Sequence, residues 1–274
     1  SGEGEARASS RVETLLFENE RVVGVRMADG EELRADAVIS SIGARETVNH
    51  LLPAECGHQE WVDEVRSLTP SIAHMSQFLG FEGDVEDAGA TRSNHWIYPT
   101  GEVDVLWTDA PDSPPPATFV SFASVKDPGH DPGPLQKHAG EIIAWSDWST
   151  VEKWADMDPG ARGDDYRSFK ARAEETMFTQ FQAYFPELAE LVVFRNLSTP
   201  LTTRAITGHH RGAFYGLDVT PERLMSGALQ AKTPVPGLFL SGLDVVSPGS
   251  PAALWGGFLA AASVDPKAFK HLRG

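Results

Sequence analysis

Residues 236–258, PGLFLSGLDVVSPGSPAALWGGF, constrain the fold of this chain more than any other stretch. The apolar run Leu238, Phe239, Leu240 predicts a buried strand. It ends at Gly242, and an acid, Asp244, stands two residues further on. A Pro/Gly/Ser turn over residues 247–251 then opens a helix of small residues, 252–262. A strand, a Gly-x-Asp and a glycine-rich turn before a helix suit a backbone that must approach a cofactor closely. The usual companion of such an element is G-x-G-x-x-G between a strand and a helix. That motif does not occur in these 274 residues. The segment reads as half a site.

A length of 274 residues allows one large domain or two ordinary ones. A hydrophobic content of 41% is enough for a core, which argues against wholesale disorder. The formal charge of −16 argues against nucleic acid and against charge-driven docking on anionic membranes. A single cysteine, Cys56, excludes an internal disulfide and favours a reducing, cytoplasmic setting, with an inert thiol. No apolar run reaches about 18 residues, so no transmembrane helix is predicted. The opening SGEGEARASS lacks a basic region and an apolar region, so it does not read as a signal peptide. A chain opening at Ser1 in mid-pattern reads as a piece of something longer.

The pattern along the chain predicts a β-meander first. Residues 12–17, 22–27 and 32–42 read as strands, with turns at 18–20 and 28–30. Residues 45–52 read as a short helix stopped by Pro53. From Arg66 the texture changes. Residues 71–81, 94–98, 103–108, 118–124 and 141–146 are strand candidates, spaced as in one antiparallel or mixed sheet. Asp164 and Asp165 read as N-caps of a helix over 166–185, with an apolar stripe of Phe169, Ala173, Met177, Phe181 and Tyr184. Residues 191–197 read as a further strand.

In this order the motifs resemble a known family. VVGVRMADGEELRADAVISSIG, FLGFEGD, NHWIYP, FVSFASVKDPG, STPLTTR with RGAFYGLD, and TPVPGLFLSGLDVVSPGSPAALWGG run nearly end to end. Together they resemble the C-terminal portion of the phytoene desaturase, carotenoid isomerase and retinol saturase group of FAD-dependent oxidoreductases. The resemblance implies an α+β chain with an amine-oxidase-like fold. A β-sheet substrate domain backed by helices, residues 66–205, would be inserted between FAD-domain remnants, 1–65 and 206–274. The N-terminal Rossmann core of the family would be absent.

What the resemblance implies about residues is specific. Gly242 would let the backbone approach the FAD pyrophosphate, and Asp244 would accept hydrogen bonds from ribityl hydroxyls. The helix start at Pro251, Ala252 and Ala253 would point its N–H groups at the flavin pyrimidine edge, favouring the reduced flavin. Val12 would pair its backbone with the adenine edge; plain sheet pairing is the equal alternative. Phe214 and Tyr215, between Gly212 and Gly216, would line the substrate side, or simply pack in a turn. Trp96, with its neighbours from Asn94 to Tyr98 and with Trp107, offers an aromatic wall for an extended hydrocarbon; a sheet packed on helices is the plainer reading. His138 and Lys126 read as solvated. Adjacent His209 and His210 would point to opposite faces of a strand, and no metal is assigned. The resemblance implies hydride transfer between FAD and a lipophilic polyene-like substrate. The present chain would not be competent alone. Its alternative role is a binding or assembly module pairing with itself, as a homodimer, or with a separate Rossmann half.

Overall fold

The computed structural model describes residues 4–53, 56–101, 103 and 106–273. The chain divides into two compact units. Unit 1 joins Ser1–Ser71 to Tyr215–Gly274, and unit 2 is the continuous stretch Ile72–Phe214. The sequence texture changes near Arg66, and the resemblance implies a second boundary near residue 206.

Unit 1 opens with a meander. Strands β1 (Val12–Glu18) and β2 (Arg21–Met27) pair antiparallel about a turn at Asn19 and Glu20. β3 (Glu32–Arg34) pairs antiparallel with β2. The strand predicted over 32–42 is in fact two. Ala35 N donates to Val23 O at 3.0 Å, and the Arg21 guanidinium donates to Asp36 O at 2.7 Å. Those bonds pin residues 35 and 36 to β2, and the chain leaves the sheet there. β4 (Val38–Ser40) takes a parallel partner from the far end of the chain instead. Helix α1 (Ala44–Glu46) widens into a π-type turn over Thr47–Leu51 just before Pro53. Helix α2 (Gln59–Ser67), which the sequence reading does not anticipate, buries Trp61, Val62 and Val65. The Trp61 indole donates to Ala228 O at 2.9 Å. Cys56 is a buried free thiol.

Unit 2 is built on β5 (Ala73–Glu82), β6 (His95–Ile97) and β7 (Thr118–Ser121), then helix α3 (Ala123–Lys126) and β8 (Lys137–Ser146). Helix α4 (Gly163–Tyr184), helix α5 (Pro186–Glu190), β9 (Val192–Ser198) and helix α6 (Pro200–Thr207) follow. The five strands form one antiparallel sheet in the order β6-β7-β8-β5-β9. The strand expected over 103–108 includes Asp104 and Val105, which lie outside the described residues. Trp107 itself bridges to Ser146.

Helix α4 backs the sheet. Phe169, Ala173, Met177 and Phe181 are buried with Met75, Leu79, Phe81, Val120 and Ile142 in one core. Burying a large apolar side chain of this kind contributes roughly 1.5–3 kcal/mol. Tyr184, the last residue of the predicted stripe, is exposed instead. Asp164 and Asp165 are not caps. The helix starts ahead of them at Gly163, so they occupy its first turn, where negative charge still favours the positive helix end.

The returning segment of unit 1 carries α7 (Pro221–Met225), β10 (Leu238–Leu240) and α8 (Ser250–Val264). β10 pairs in parallel with β4, Leu238 opposite Val38. Leu15, Val22, Val48, Trp61, Leu217, Leu238 and Leu240 share the core of this unit. Among the described residues no helix is long and apolar enough to cross a membrane. Nor does any group of three or more His, Cys, Asp or Glu gather there as a metal site.

Candidate functional site

In unit 1 the segment after β10 is a buried polar knot. Asp244 is 3% exposed. Its Oδ2 accepts from Ala44 N at 2.8 Å and its Oδ1 from Leu217 N at 3.0 Å. Three distant loops therefore meet on one carboxylate. Arg223, 4% exposed, closes the knot by donating to Leu243 O at 2.8 Å and to Leu217 O. Burial pulls the Arg223 guanidinium below its usual value, while the charges of Asp244 and Asp218 oppose that shift. Gly216, at φ 67°, is obligatory beside this group. A Cβ there would lie 2.6 Å from Asp244 Oδ1.

Gly242 is half-buried at φ 92°, and its backbone is approached by α8. A Cβ on Gly256 would lie 2.2 Å from Gly242 O, so helix and strand end touch backbone to backbone. α8 itself starts after Gly249 with no side-chain cap. Pro251 is exposed and Ala252 and Ala253 are half-buried in its first turn. Val12 sits at the start of β1, opposite Met27, with an irregularity before Thr14.

Unit 2 presents a second arrangement. Cross-strand partners share a sheet face, so the register assigns the side of the sheet away from α4. Trp96 stands opposite Phe119, and Phe119 opposite Ile143. Ile143 stands opposite Ser76, Glu141 opposite Phe78, and Trp145 opposite His74. Trp96 packs on Phe119 and Trp145, with ring centroids 5.0 and 5.2 Å away. His74 packs on Phe214 at 4.1 Å. The face is aromatic and partly open: Trp96 is 51% exposed, Phe78 46% and Phe194 56%.

Polar groups stand on the same face. Lys126 is not solvated as predicted: Nζ donates to Ser121 Oγ at 2.7 Å and to Asn94 Oδ1. Glu141, beside it, has its carboxyl raised by burial and lowered again in part by Lys126. His138 stands on the opposite side of the sheet, across from Phe81; it is half-buried, with Nδ1 3.2 Å from Ser124 Oγ. Trp107 is not part of the aromatic wall. It is fully buried in the core behind the sheet, its indole donating to Ser113 O at 3.0 Å.

Burial holds the His74 imidazole down, from 6.5 to about 4. At pH 8 it is neutral folded or unfolded. As pH falls through 6.5 the unfolded chain takes up the proton first, so stability is lost until about pH 4. The expected loss is about 3 kcal/mol. Glu141 acts in the opposite sense, because a raised carboxyl favours the folded chain as pH falls. The His74 contribution is therefore the difference between wild type and His74→Phe in urea melts at pH 8 and pH 4. Equal losses in the two proteins would refute it.

The residues anticipated from sequence thus fall in two places. Val12, Gly242, Asp244, Pro251, Ala252, Ala253 and Tyr215 belong to unit 1; Trp96 and Phe214 belong to unit 2. Tyr215 is half-buried and its N–H donates to Ser71 Oγ at 2.8 Å. His209 and His210 lie in a loop and a short 3-10 turn, not on a strand; His209 Nδ1 is 3.0 Å from Ala213 O. His74, Trp145, Arg223 and Gly256 are missed by the sequence reading. The first two stand in predicted strands, yet only the register brings them together.

The fold is that of an oxidoreductase of known structure. The crystal structure of an oxidoreductase from Methanosarcina mazei superposes with a TM-score of 0.53 over 93% of this chain and 48% of that one, at 17% identity. No family model matches the chain. Relatives are nevertheless clear. All-trans-retinol 13,14-reductase of Rattus norvegicus is 27% identical over 276 residues, which cover 95% of this chain and 45% of the relative. Chloroplastic prolycopene isomerase of Daucus carota is 24% identical over 246 residues, 89% of this chain and 37% of the relative. The chain is a homologue of these enzymes, members of the phytoene desaturase, carotenoid isomerase and retinol saturase group of oxidoreductases. It spans less than half their length.

Proposed function

We propose that the chain is part of a flavin-dependent oxidoreductase that acts on a lipophilic, polyene-like substrate. The observation that carries this reading is the open aromatic face of the unit 2 sheet, in a chain related to a retinol reductase and a prolycopene isomerase. An extended apolar ligand is recognised by contact area, which Trp96, Phe119, Phe78 and Phe194 supply. Unit 2 is then the substrate domain, with Phe214 on its wall. Unit 1 is the FAD-domain portion.

The residues of unit 1 fit a flavin dinucleotide. Gly242, at φ 92°, has no side chain to stand between strand end and ligand, α8 begins without a side-chain cap, and each Asp244 oxygen has one lone pair beyond its bond to a backbone N–H. Val12, Gly242, Asp244, Pro251, Ala252 and Ala253 would hold the group. When bound, FAD supplies hydride transfer at its N5. The chain's own share is orientation of the substrate and exclusion of water. Without a G-x-G-x-x-G segment the grip on pyrophosphate is incomplete, so the 274 residues alone are not competent.

Amide NMR with added FAD tests this. Millimolar FAD is expected to shift the amides of residues 242–253 and yet wash away on gel filtration. Shifts confined to other residues, or none, would refute the cofactor site. Flavin carried through the column at one per chain would refute the incomplete grip.

A second reading is an assembly module that pairs with itself or with a separate Rossmann half. It is favoured by α8, which is apolar round its circumference although Leu254 is 77% exposed and Trp255 half-exposed. Such a face is stabilised by a partner. Light scattering that finds a monomer at all concentrations would exclude self-pairing.

A further inference from the structure

The sheet face of unit 2 holds two buried polar atoms that the aromatic wall does not explain. His74 is 8% exposed, and its Nδ1 has no hydrogen-bond partner. Trp145 stands opposite it in the β5–β8 register, and its Nε1 is also buried without a partner. Buried polar groups are almost always paired, so two orphans on cross-strand partner residues of one face call for an explanation. Their surroundings are built. The Phe214 ring covers His74, and Trp96 packs on Trp145.

We infer that His74 and Trp145 form a specificity pair that takes one neutral oxygen, a hydroxyl or carbonyl, of an otherwise apolar ligand on this face. The inference rests on the proposed lipophilic ligand and names a further feature of it. The chemistry follows from the two side chains. Indole Nε1–H can only donate; a neutral imidazole nitrogen accepts or donates according to tautomer. A hydroxyl accepts from Trp145 and donates to His74 Nδ1. A carbonyl accepts from both, with the proton on Nδ1. A pure hydrocarbon would leave both atoms unpaired, and a site built to bond an oxygen discriminates strongly against the analogue that lacks it. A carboxylate is disfavoured, because burial holds the imidazole neutral at pH 7 and a buried charge needs an opposite one.

The test compares two probes of one skeleton: all-trans-retinol and axerophthene, the hydrocarbon without its hydroxyl. Binding to the purified chain is followed by quenching of tryptophan emission. Retinol is expected to bind about tenfold or more tightly than axerophthene. His74→Phe and Trp145→Phe are each expected to bring retinol to within about twofold of axerophthene, with axerophthene binding unchanged. Should His74→Phe fail to fold, Trp145→Phe decides, since phenylalanine keeps a ring against Trp96. Equal affinity of wild type for both probes, or a preference that survives the variants, would overturn the pair alone. Failure of both probes to bind would overturn the lipophilic face as well, and the pair with it.

Discussion

Replacing Asp244 with alanine is expected to cost unit 1 about 3–5 kcal/mol, with no flavin present. The carboxylate is the acceptor for two backbone N–H groups from loops far apart in sequence, Ala44 and Leu217. Its removal leaves both donors buried and unpaired. It also takes from the buried Arg223 guanidinium the larger of the two charges that offset its desolvation, leaving only Asp218. Asp244→Asn keeps one acceptor oxygen and is expected to cost about half as much. Urea melts of the three proteins, followed by circular dichroism, measure the order. An alanine variant within about 1 kcal/mol of wild type would show that the knot does not hold the unit together. Because the measurement contains no cofactor, its outcome separates the structural duty of Asp244 from any duty toward ribityl hydroxyls.

Gly256→Val is expected to have an effect of similar size, about 3 kcal/mol or more. The new Cβ would sit 2.2 Å from Gly242 O and 3.1 Å from Gly242 C and N. These are main-chain atoms at the end of a strand and cannot swing aside, so α8 must move bodily. The neighbouring glycine provides the control. A Cβ on Gly257 would meet only Ser241 Oγ at 3.6 Å, an ordinary contact. Gly257→Ala should therefore be neutral or stabilising by up to about 1 kcal/mol through helix propensity. In thermal melts Gly256→Val is expected to fall well below wild type and Gly257→Ala to stay level with it or rise. A common direction would mean that α8 does not rest on the Gly242 backbone.

Much of this architecture is legible in the sequence where the cause is local. The run Leu238–Leu240, the turn and the helix after it are set by apolar patterning and by Gly and Pro, and they fold as read. The stripe on α4 is read from helical spacing alone. What stays hidden is non-local. Nothing between Ala35 and Ala37 announces that β4 will abandon its antiparallel neighbour for a strand beginning at Leu238. Asp244 is conspicuous, but its partners Ala44 and Leu217 are chosen by tertiary structure. Likewise an unpaired nitrogen on His74 is a property of the space around it. Helices α5, α6 and α7 were within reach, since each has Pro in its first turn after an extended or irregular residue.

The parallel pair β4–β10 also dictates when the molecule can be completed on the ribosome. Unit 2 is continuous, so its five strands are all available once Ser198 has emerged. β4 has no such liberty: it waits for a partner that begins at Leu238, on the order of ten to forty seconds of translation later. Until then β4 lacks its native partner, and an unpaired strand is a template for wrong pairing.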